Sequence, residues 1–326
     1  MIGGSAHSCA TRYPLLLLHG VAVRDGEKDR IWGRIPQMLR EHGAEVYVGW
    51  HDGWGTPVSN ALQLSKRLGA IIVQSGACKV NIIAHSKGGV DARYLIAMLS
   101  GECAESTLPQ DDEAGDSAVA PGISETSHNA CSPLPIASLT TIATPHHGSL
   151  ALEKLLTTFR PFFAPAAFVI NHLYRRLGDA APDLISSCEY LTTTYMQAFN
   201  TLQPSLPQIY SQQFASSLHG PLDDLISIGT YPFIACLDGP NDGLVTFRSA
   251  AFDNFRGELS TAAGRGVAHV MQVDATRRPF SRRKPPGTSR PQQAEYSDET
   301  KRIPLRYGDI VDFYLALAAD LKARGY

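Results

Sequence analysis

Short, continuously apolar runs alternate along this chain with segments in which apolar residues recur at helical spacing. Runs that are too short for helices and apolar at nearly every position are typical of strands buried on both faces of a parallel sheet. The predicted strands cover residues 13–18, 45–48, 80–83 and 233–237. Between them, amphipathic stripes predict helices, one of which ends near Gly43, a residue suited to a helix C-terminus. The alternation predicts an α/β fold with a mostly parallel central sheet flanked by helices.

Three regions interrupt this pattern within what we expect to be a single domain over residues 1–326. Residues 101–133 are rich in Ser, Ala, Glu and Asp and predict a polar surface insertion. Residues 150–225 carry several phenylalanines at helical spacing and predict a helical cap or lid. An extra helix pair packed permanently on the core is the alternative for that region. Residues 275–303 predict a basic, proline-rich loop, and residues 307–321 predict the closing helix.

The segment Ala-His-Ser-Lys-Gly-Gly at residues 84–89 directly follows a predicted strand and opens a predicted helix. A strand, a sharp turn and a small-residue helix start form the context of a nucleophile elbow, in which a serine hydroxyl projects from the sheet edge. Ala84 and Gly88 are small enough for strand and helix to pass close together, although glycine is usual at the first of these positions. Ser86 is therefore the candidate nucleophile, and an ordinary tight turn is the alternative.

The His-Gly-Val turn at residues 19–21 ends the first predicted strand. Backbone N–H groups at such a turn can point at a carbonyl oxygen and stabilise the negative charge of a tetrahedral intermediate, each by about 3–4 kcal/mol. The residue after a nucleophile normally supplies one donor, which is here the N–H of Lys87, and we choose Val21 for the other. Without Ser86, these residues would indicate only a plain strand-end turn.

Two further residues complete a candidate triad in the order Ser86, Asp242, His269, which is the chain order of α/β-hydrolases. The histidine would take the serine proton, and the carboxylate would fix its tautomer and stabilise the imidazolium. His269 is the only histidine after Asp242, so the base has no rival if the acid is correct. Asp238 is the rival acid, and an aspartate in an Asn-Asp-Gly turn can also be a simple turn former.

Together these residues resemble the bacterial true lipases of the Pseudomonas–Burkholderia and Geobacillus–Staphylococcus type. The likeness spans most of residues 13–150 and a patch near 240–270. Its most specific motifs are Ala-Thr-Pro-His-His-Gly at 143–148 and Asn-Asp-Gly-Leu-Val at 241–245. The resemblance implies an α/β-hydrolase fold with a Ser-His-Asp triad, Asp242 as its acid and the same two backbone N–H groups as oxyanion donors.

The resemblance also implies a structural calcium ion held in part by a carboxylate two residues after the triad histidine, and that place is here Met271. Asp223 and Asp274 remain as calcium candidates. Two carboxylates are few for Ca²⁺, because this ion takes six to eight oxygen ligands. The zinc-binding insertion of the Geobacillus-type enzymes is not evident, because residues 50–60 offer only His51 and Asp52. We therefore expect no required cofactor.

Composition restricts the partners and the compartment. The net charge of −2 implies no general attraction to nucleic acid, and no apolar stretch is long enough to span a membrane. The N-terminus lacks the pattern of a signal peptide, which predicts a cytoplasmic chain unless a leader was removed, whereas the resemblance implies secretion. Cys103 and Cys131 bracket the polar insertion and could be bridged, but free thiols are the expectation without an oxidising compartment.

The sequence thus predicts a serine carboxylic-ester hydrolase, a triacylglycerol lipase or carboxylesterase that works through an acyl-enzyme intermediate. Its partners would be an ester or lipid substrate and a lipid–water interface. One alternative is a phospholipase or acyltransferase with the same triad. The other is a non-catalytic member of the fold that binds a lipid or a partner, because fold alone does not fix function.

Overall fold

The structure is a computed structural model that describes residues 8–26, 31–101, 134–203, 209–275, 277–280 and 304–326. Most of the predicted polar insertion and of the basic loop lies outside the described residues, and so do Cys103 and Cys131. The domain limits predicted for those two regions therefore stay predictions.

In the described part of the chain, seven parallel strands form one sheet in the order β2-β1-β3-β4-β5-β6-β7. Their bounds are β1 Leu15–Leu18, β2 Val46–Val48, β3 Val80–His85, β4 Ile136–Ile142, β5 Tyr210–Ser216, β6 Phe255–Thr261 and β7 Pro304–Tyr307. An all-parallel sheet needs helical crossovers, which cover both of its faces. The carboxyl ends of the strands consequently meet at one edge, where ligands bind in such folds.

The helices of the described residues include four that flank the sheet and several that lie beyond it. Their bounds are α1 Ile35–Glu41, α2 Pro57–Ser75, α3 Lys87–Leu99, α4 Leu150–Leu177, α5 Leu184–Glu189, α6 Thr193–Leu202, α7 Thr230–Asp238, α8 Phe247–Ala250 and α9 Ile310–Ala323. The closing helix begins three residues later than predicted, because Tyr307 belongs to β7.

The alternation of side chains along β1 divides the core into two layers. Leu15 and Leu17 pack with apolar residues of α1 and α9 on one face of the sheet. Leu16 and Leu18 pack with residues of α2 and α3 on the other face. All four leucines are fully buried, so this strand is apolar at every position, as its sequence predicted.

The prediction of a strand over residues 233–237 is wrong. These residues lie in α7, and Phe233 is exposed on the helix surface. An apolar run this short does not distinguish a strand from a helix. The strands that follow β4 are instead β5 and β6, which carry many polar residues.

The predicted cap over residues 150–225 is helical in its first part only. Helix α4 changes direction at Phe159, whose φ of −116° and ψ of 17° are not helical, two residues before Pro161. Helices α5 and α6 follow, and then the chain returns to the sheet as β5. None of the described helices combines the length and the apolar character that crossing a membrane requires.

Candidate active site

Ser86 occupies a sharp turn between β3 and α3. Its φ of 56° and ψ of −133° lie where residues with a Cβ are strained, a conformation that proteins retain mainly where function needs it. The turn is held on both sides, because the N–H of Ser86 donates to the carbonyl of Ile142 at 2.9 Å and its carbonyl accepts from Thr144 Oγ1 at 2.9 Å. This geometry presents the serine at the carboxyl end of the sheet.

Residues around this turn must be small because the end of β1 and the following turn pass close to the Ser86 turn and the start of α3. A Cβ on Gly20 would lie 2.7 Å from Cβ of Ser86, so only glycine fits beside the serine. A Cβ on Gly88 would collide with the backbone carbonyls of Leu18 and His19. Ala84 is fully buried in β3, and its methyl group is accommodated there. The spacing of small residues read from the sequence is thus explained by the packing of β1 against the turn.

Asp242 and His269 form a buried pair. His269 Nδ1 lies 2.8 Å from Asp242 Oδ2, and the backbone N–H of His269 donates to the carbonyl of Asp242 at 2.9 Å. The other carboxylate oxygen accepts from the N–H groups of Leu244 and Val245 at 3.1 and 2.8 Å. With Nδ1–H directed at the carboxylate, Nε2 of the imidazole is left with a lone pair and can accept a proton.

The rival carboxylate, Asp238, lies at the C-terminal end of α7 and accepts from Thr246 Oγ1 at 3.0 Å. The chain leaves the end of β5, forms α7, and returns through a hydrogen bond of 2.7 Å from the N–H of Leu218 to the carbonyl of Asn241. The return brings Asp242 back towards the sheet edge after an excursion over residues 219–240. Asp242 thus follows a helix and not the predicted strand.

His85 connects the serine turn with the histidine turn His269–Val273, a short 3-10 helix. The rings of His85 and His269 lie 4.5 Å apart, and His85 Nε2 is 3.2 Å from the carbonyl of His269. His85 directly precedes Ser86 in the chain, so this contact places His269 next to the candidate nucleophile. The structure therefore pairs His269 with Asp242 and sets His269 against the residue that precedes Ser86, while the Ser86–His269 contact stays a prediction.

The predicted oxyanion donors lie on the two segments that flank Ser86. Lys87 is the first residue of α3, where a backbone N–H has no partner within the helix. Val21 follows Gly20, and the next residue, Ala22, has a φ of 59° and donates its N–H to the carbonyl of Gly53 at 3.2 Å. Both predicted donors thus belong to tightly held backbone near the serine.

The side chain of Lys87 is buried, and Nζ binds both carboxylate oxygens of Asp91 at 2.8 and 2.9 Å. Asn60 donates to Asp91 at 2.9 Å, and His51 Nε2 lies 3.7 Å from the same carboxylate. Burial raises the pKa of Asp91, an effect that its two donors oppose. This network fixes the first turn of α3 and with it the backbone of Lys87.

Three histidines around the site are neutral because burial lowers their pKa well below the ordinary value; they are His51, His85 and His146. His146 Nε2 lies 2.8 Å from Thr141 Oγ1, and its ring stacks on Phe252. These contacts give it a packing role beside the site.

Side chains of the types that bind metals meet in one group of three in the described part of the chain: His19, Asp25 and His51. The two rings are stacked with centroids 4.0 Å apart and planes inclined by 12°. Because an imidazole donates its lone pair in the ring plane, two parallel rings cannot direct lone pairs at one ion. One nitrogen of each ring meets a backbone carbonyl, His19 Nδ1 that of Gly20 at 2.8 Å and His51 Nε2 that of His19 at 3.2 Å. His19 Nε2 lies 3.8 Å from Asp25 Oδ2, and neither it nor His51 Nδ1 has a hydrogen-bond partner among the described residues.

The calcium candidates do not fit a calcium site. Asp274 is bound by Arg34, whose backbone N–H, Nε and Nη2 lie 2.7 to 2.9 Å from its carboxylate oxygens. A calcium ion would have to displace this guanidinium, which already neutralises the carboxylate. Asp223 accepts from the N–H of His219 in a separate exposed turn. Asp52, the remaining zinc candidate, accepts from the N–H groups of residues 180 and 181.

Arg34 also binds Asp309 at 2.7 and 2.8 Å and thereby joins α1, the histidine turn and the start of α9. A Cβ on Gly33 would collide with Asp274, so glycine admits this contact. Sequence analysis missed Arg34, Asp91 and the buried Gln272, whose Nε2 donates to Asp242. Their partners lie on other elements, and only a short-range pattern such as the Lys87–Asp91 spacing of four could have indicated one of them.

Comparison with known proteins finds similar sequences among triacylglycerol lipases. The chain is 34% identical over 209 residues to triacylglycerol lipases of Pseudarthrobacter phenanthrenivorans and Burkholderia plantarii; each match covers 60% of this chain and 55% and 49% of those proteins. The chain thus spans about half the length of the relatives it matches. No family model matches the sequence.

Solved structures show the same fold. Staphylococcus hyicus lipase matches with a TM-score of 0.53 at 19% identity, over 96% of this chain and 92% of that one. The mature Bacillus licheniformis lipase BlEst2 matches with a TM-score of 0.53 at 16% identity, over 82% and 88%. The chain therefore has the α/β-hydrolase fold of these lipases and is similar in sequence to bacterial triacylglycerol lipases.

Proposed function

We propose that this protein is a serine carboxylic-ester hydrolase that acts on lipid esters, a triacylglycerol lipase or carboxylesterase. The observation that carries the proposal is the buried pair of His269 and Asp242 beside Ser86, in the strained turn of an α/β-hydrolase sheet. The similarity to triacylglycerol lipases supports the same reaction class.

In the proposed reaction, Oγ of Ser86 attacks the ester carbonyl while Nε2 of His269 takes its proton. The carbonyl oxygen becomes an oxyanion, for which the backbone N–H groups of Val21 and Lys87 are the proposed donors. The tetrahedral intermediate expels the alcohol, which takes the proton from His269, and leaves an acyl group on Ser86. Water then attacks the acyl group with His269 again as base, and the acid is released.

Exposed apolar side chains in the predicted cap region and in the excursion after β5 support a long-chain substrate. These side chains, which we group under the term apolar cap face, are Phe159, Phe162, Phe168, Leu173, Leu222, Leu225, Ile226 and Phe233. Several of them are about three-quarters exposed, which is unusual for large apolar residues unless they meet a ligand or an interface. We propose that α4 to α6 form a cap over Ser86 and that its apolar face meets the lipid–water interface.

The C-terminal end of α4 is tied to the candidate oxyanion turn. Tyr174 donates its hydroxyl to the carbonyl of Ala22 at 2.6 Å, and Arg24 lies 3.2 Å from Asp179. Movement of this helix would be transmitted to the segment that carries Val21. This connection supports a cap whose movement would change the geometry of the proposed oxyanion donor Val21.

The test is hydrolysis of p-nitrophenyl esters from acetate to palmitate by wild type and by Ser86→Ala, with Ser75→Ala on α2 as a control. Ser75 Oγ donates to the carbonyl of Ile71 and accepts from the N–H of Ala77, two local contacts at the C-terminal end of α2. We expect Ser86→Ala to lower kcat by roughly a million-fold, as in a related triad system, and the control to leave it unchanged. An active Ser86→Ala protein, or an inactive wild type on all chain lengths, would refute the proposal.

A further inference from the structure

A second side chain besides His269 donates to the buried carboxylate of Asp242. Gln272 is fully buried, and its Nε2 lies 2.8 Å from Oδ2 of Asp242, the same oxygen that faces His269. The orientation of the amide is fixed by chemistry, because an ionised carboxylate only accepts and the amide must therefore turn its N–H groups towards it. We propose that Gln272 is a positioning residue for the proposed reaction, which holds the Asp242 carboxylate in line with His269.

The carboxylate is then restrained from both sides. Oδ1 accepts from two backbone N–H groups, those of Leu244 and Val245, and Oδ2 accepts from His269 and Gln272. Rotation of the carboxylate about its Cβ–Cγ bond would break bonds at both oxygens. Without Gln272, His269 would be the one partner of Oδ2 among the described residues, and this ring must keep its place through the reaction.

Gln272 is itself anchored by the core. Its backbone carbonyl accepts the hydroxyl of Tyr314 at 2.9 Å, and Tyr314 is a fully buried residue of α9. Burial raises the pKa of Tyr314, so the phenol stays protonated and remains a donor. The amide therefore lies on a fixed part of the histidine turn and has little freedom to leave Asp242.

Stability alone gives a poor reason for a glutamine at this position. Its Oε1 is buried without a hydrogen-bond partner among the described residues. An unsatisfied buried acceptor is destabilising, whereas an apolar side chain of similar shape would avoid that cost. A glutamine that keeps one buried acceptor unsatisfied while its amide N–H binds the proposed triad acid favours a contribution to activity.

The second donor also has an electronic consequence. A hydrogen bond to Oδ2 draws charge from the carboxylate, so the carboxylate stabilises the imidazolium of His269 less strongly. Loss of Gln272 would thus make His269 easier to protonate. This effect would move the acid limb of the pH–activity profile to higher pH, which a merely structural role would not do.

The inference rests on the proposed function, and the experiment separates the two. We would compare wild type, Gln272→Met and the matched control Gln212→Met. Gln212 is also a buried glutamine, but it donates to Thr140 Oγ1 at 3.0 Å across the sheet, away from the triad. Measurements are kcat and KM for a p-nitrophenyl ester across pH, the Tm, and the protonation midpoint of the His269 ring by NMR.

For Gln272→Met we expect kcat to fall roughly 10- to 100-fold, the range expected for one lost bond to a charged group, with KM changed less than about twofold. Its acid limb and its NMR midpoint should both move to higher pH, a shift that a change in Tm alone would not produce. Gln212→Met should leave both the acid limb and the NMR midpoint of His269 unchanged. Unchanged kcat and an unchanged midpoint in Gln272→Met would overturn the positioning role. An inactive wild type would refute the ester hydrolase, while the NMR midpoint would still decide whether Gln272 acts on His269.

Discussion

Replacement of Lys87 by methionine tests the buried network under the nucleophile turn. Methionine keeps most of the aliphatic stem and removes the ammonium group, which leaves Asp91 buried with Asn60 as its remaining short-range donor. Both members of the pair are about 1% exposed. Removal of one partner from a buried ion pair destabilises a protein by roughly 3–5 kcal/mol. Because Asn60 still donates to Asp91, we expect a value near the lower end, about 3 kcal/mol.

The pH dependence of this loss gives an independent check. Burial raises the pKa of Asp91, and removal of Lys87 raises it further, so the carboxyl can take up a proton when its partner is gone. A folded-state pKa above the unfolded value means that stability is lost as pH rises through the folded pKa. The destabilisation of Lys87→Met should therefore be larger at pH 8 than at pH 5.

Urea unfolding at both pH values measures the effect. The double variant Lys87→Met/Asp91→Asn removes both charges and should regain most of the lost stability. Asp320→Asn serves as the control, because it breaks an exposed pair with Arg324 at the same spacing of four residues and should cost about 0.5 kcal/mol or less. A loss below about 1 kcal/mol in Lys87→Met, or no recovery in the double variant, would refute the reasoning.

Three further predictions follow from the described contacts. Gly20→Ala should lower kcat about 100-fold in a folded protein, because the new Cβ would lie 2.7 Å from Cβ of Ser86 and displace the turn. Circular dichroism checks the fold, and a kcat within tenfold of the wild-type value would contradict this expectation. Arg34→Gln should destabilise the protein by roughly 2 kcal/mol, because it removes charged donors from buried Asp274. EDTA should leave the Tm of the wild type unchanged. A stable Arg34→Gln protein together with a Tm that EDTA lowers would favour a metal at Asp274. The free energy of unfolding should fall as pH drops below about 6.5, because the buried histidines stay neutral in the folded protein while they take up protons in the unfolded chain. His146→Gln should reduce the slope of this free energy against pH by up to about 1.4 kcal/mol per pH unit. An unchanged slope would contradict a neutral buried ring.

Strands in which most side chains are apolar were predictable, and strands with many polar side chains were not. The four leucines of β1 and the mostly apolar run of β3 predict buried strands. Strand β5 is buried as well, but it contains Gln212 and Gln213, and Gln212 finds its partner in Thr140 on the neighbouring strand. That partner is 72 residues away in the chain, so no local pattern could reveal that the polar side chain would be satisfied.

The candidate site divides in a similar way. Ser86 and its small neighbours form one local motif, because the strand, the turn and the helix start are consecutive in the chain. Asp242 and His269 could be proposed from motif and chain order. Gln272 and Arg34 act through contacts with distant residues, Asp242 and Asp274, and their types are common on protein surfaces. Only the packing of the histidine turn against α1 and α9 shows what they bind.

Covalent labelling of the nucleophile tests most directly whether Ser86 carries the proposed reaction. A fluorophosphonate forms a stable bond with a serine only where a base activates the hydroxyl and the fluoride can leave. We predict one adduct per wild-type chain, located by peptide mass spectrometry at Ser86, and its loss in both Ser86→Ala and His269→Ala. Labelling at another serine, or equal labelling of the His269→Ala protein, would contradict the assignment of Ser86 as the nucleophile and His269 as its base.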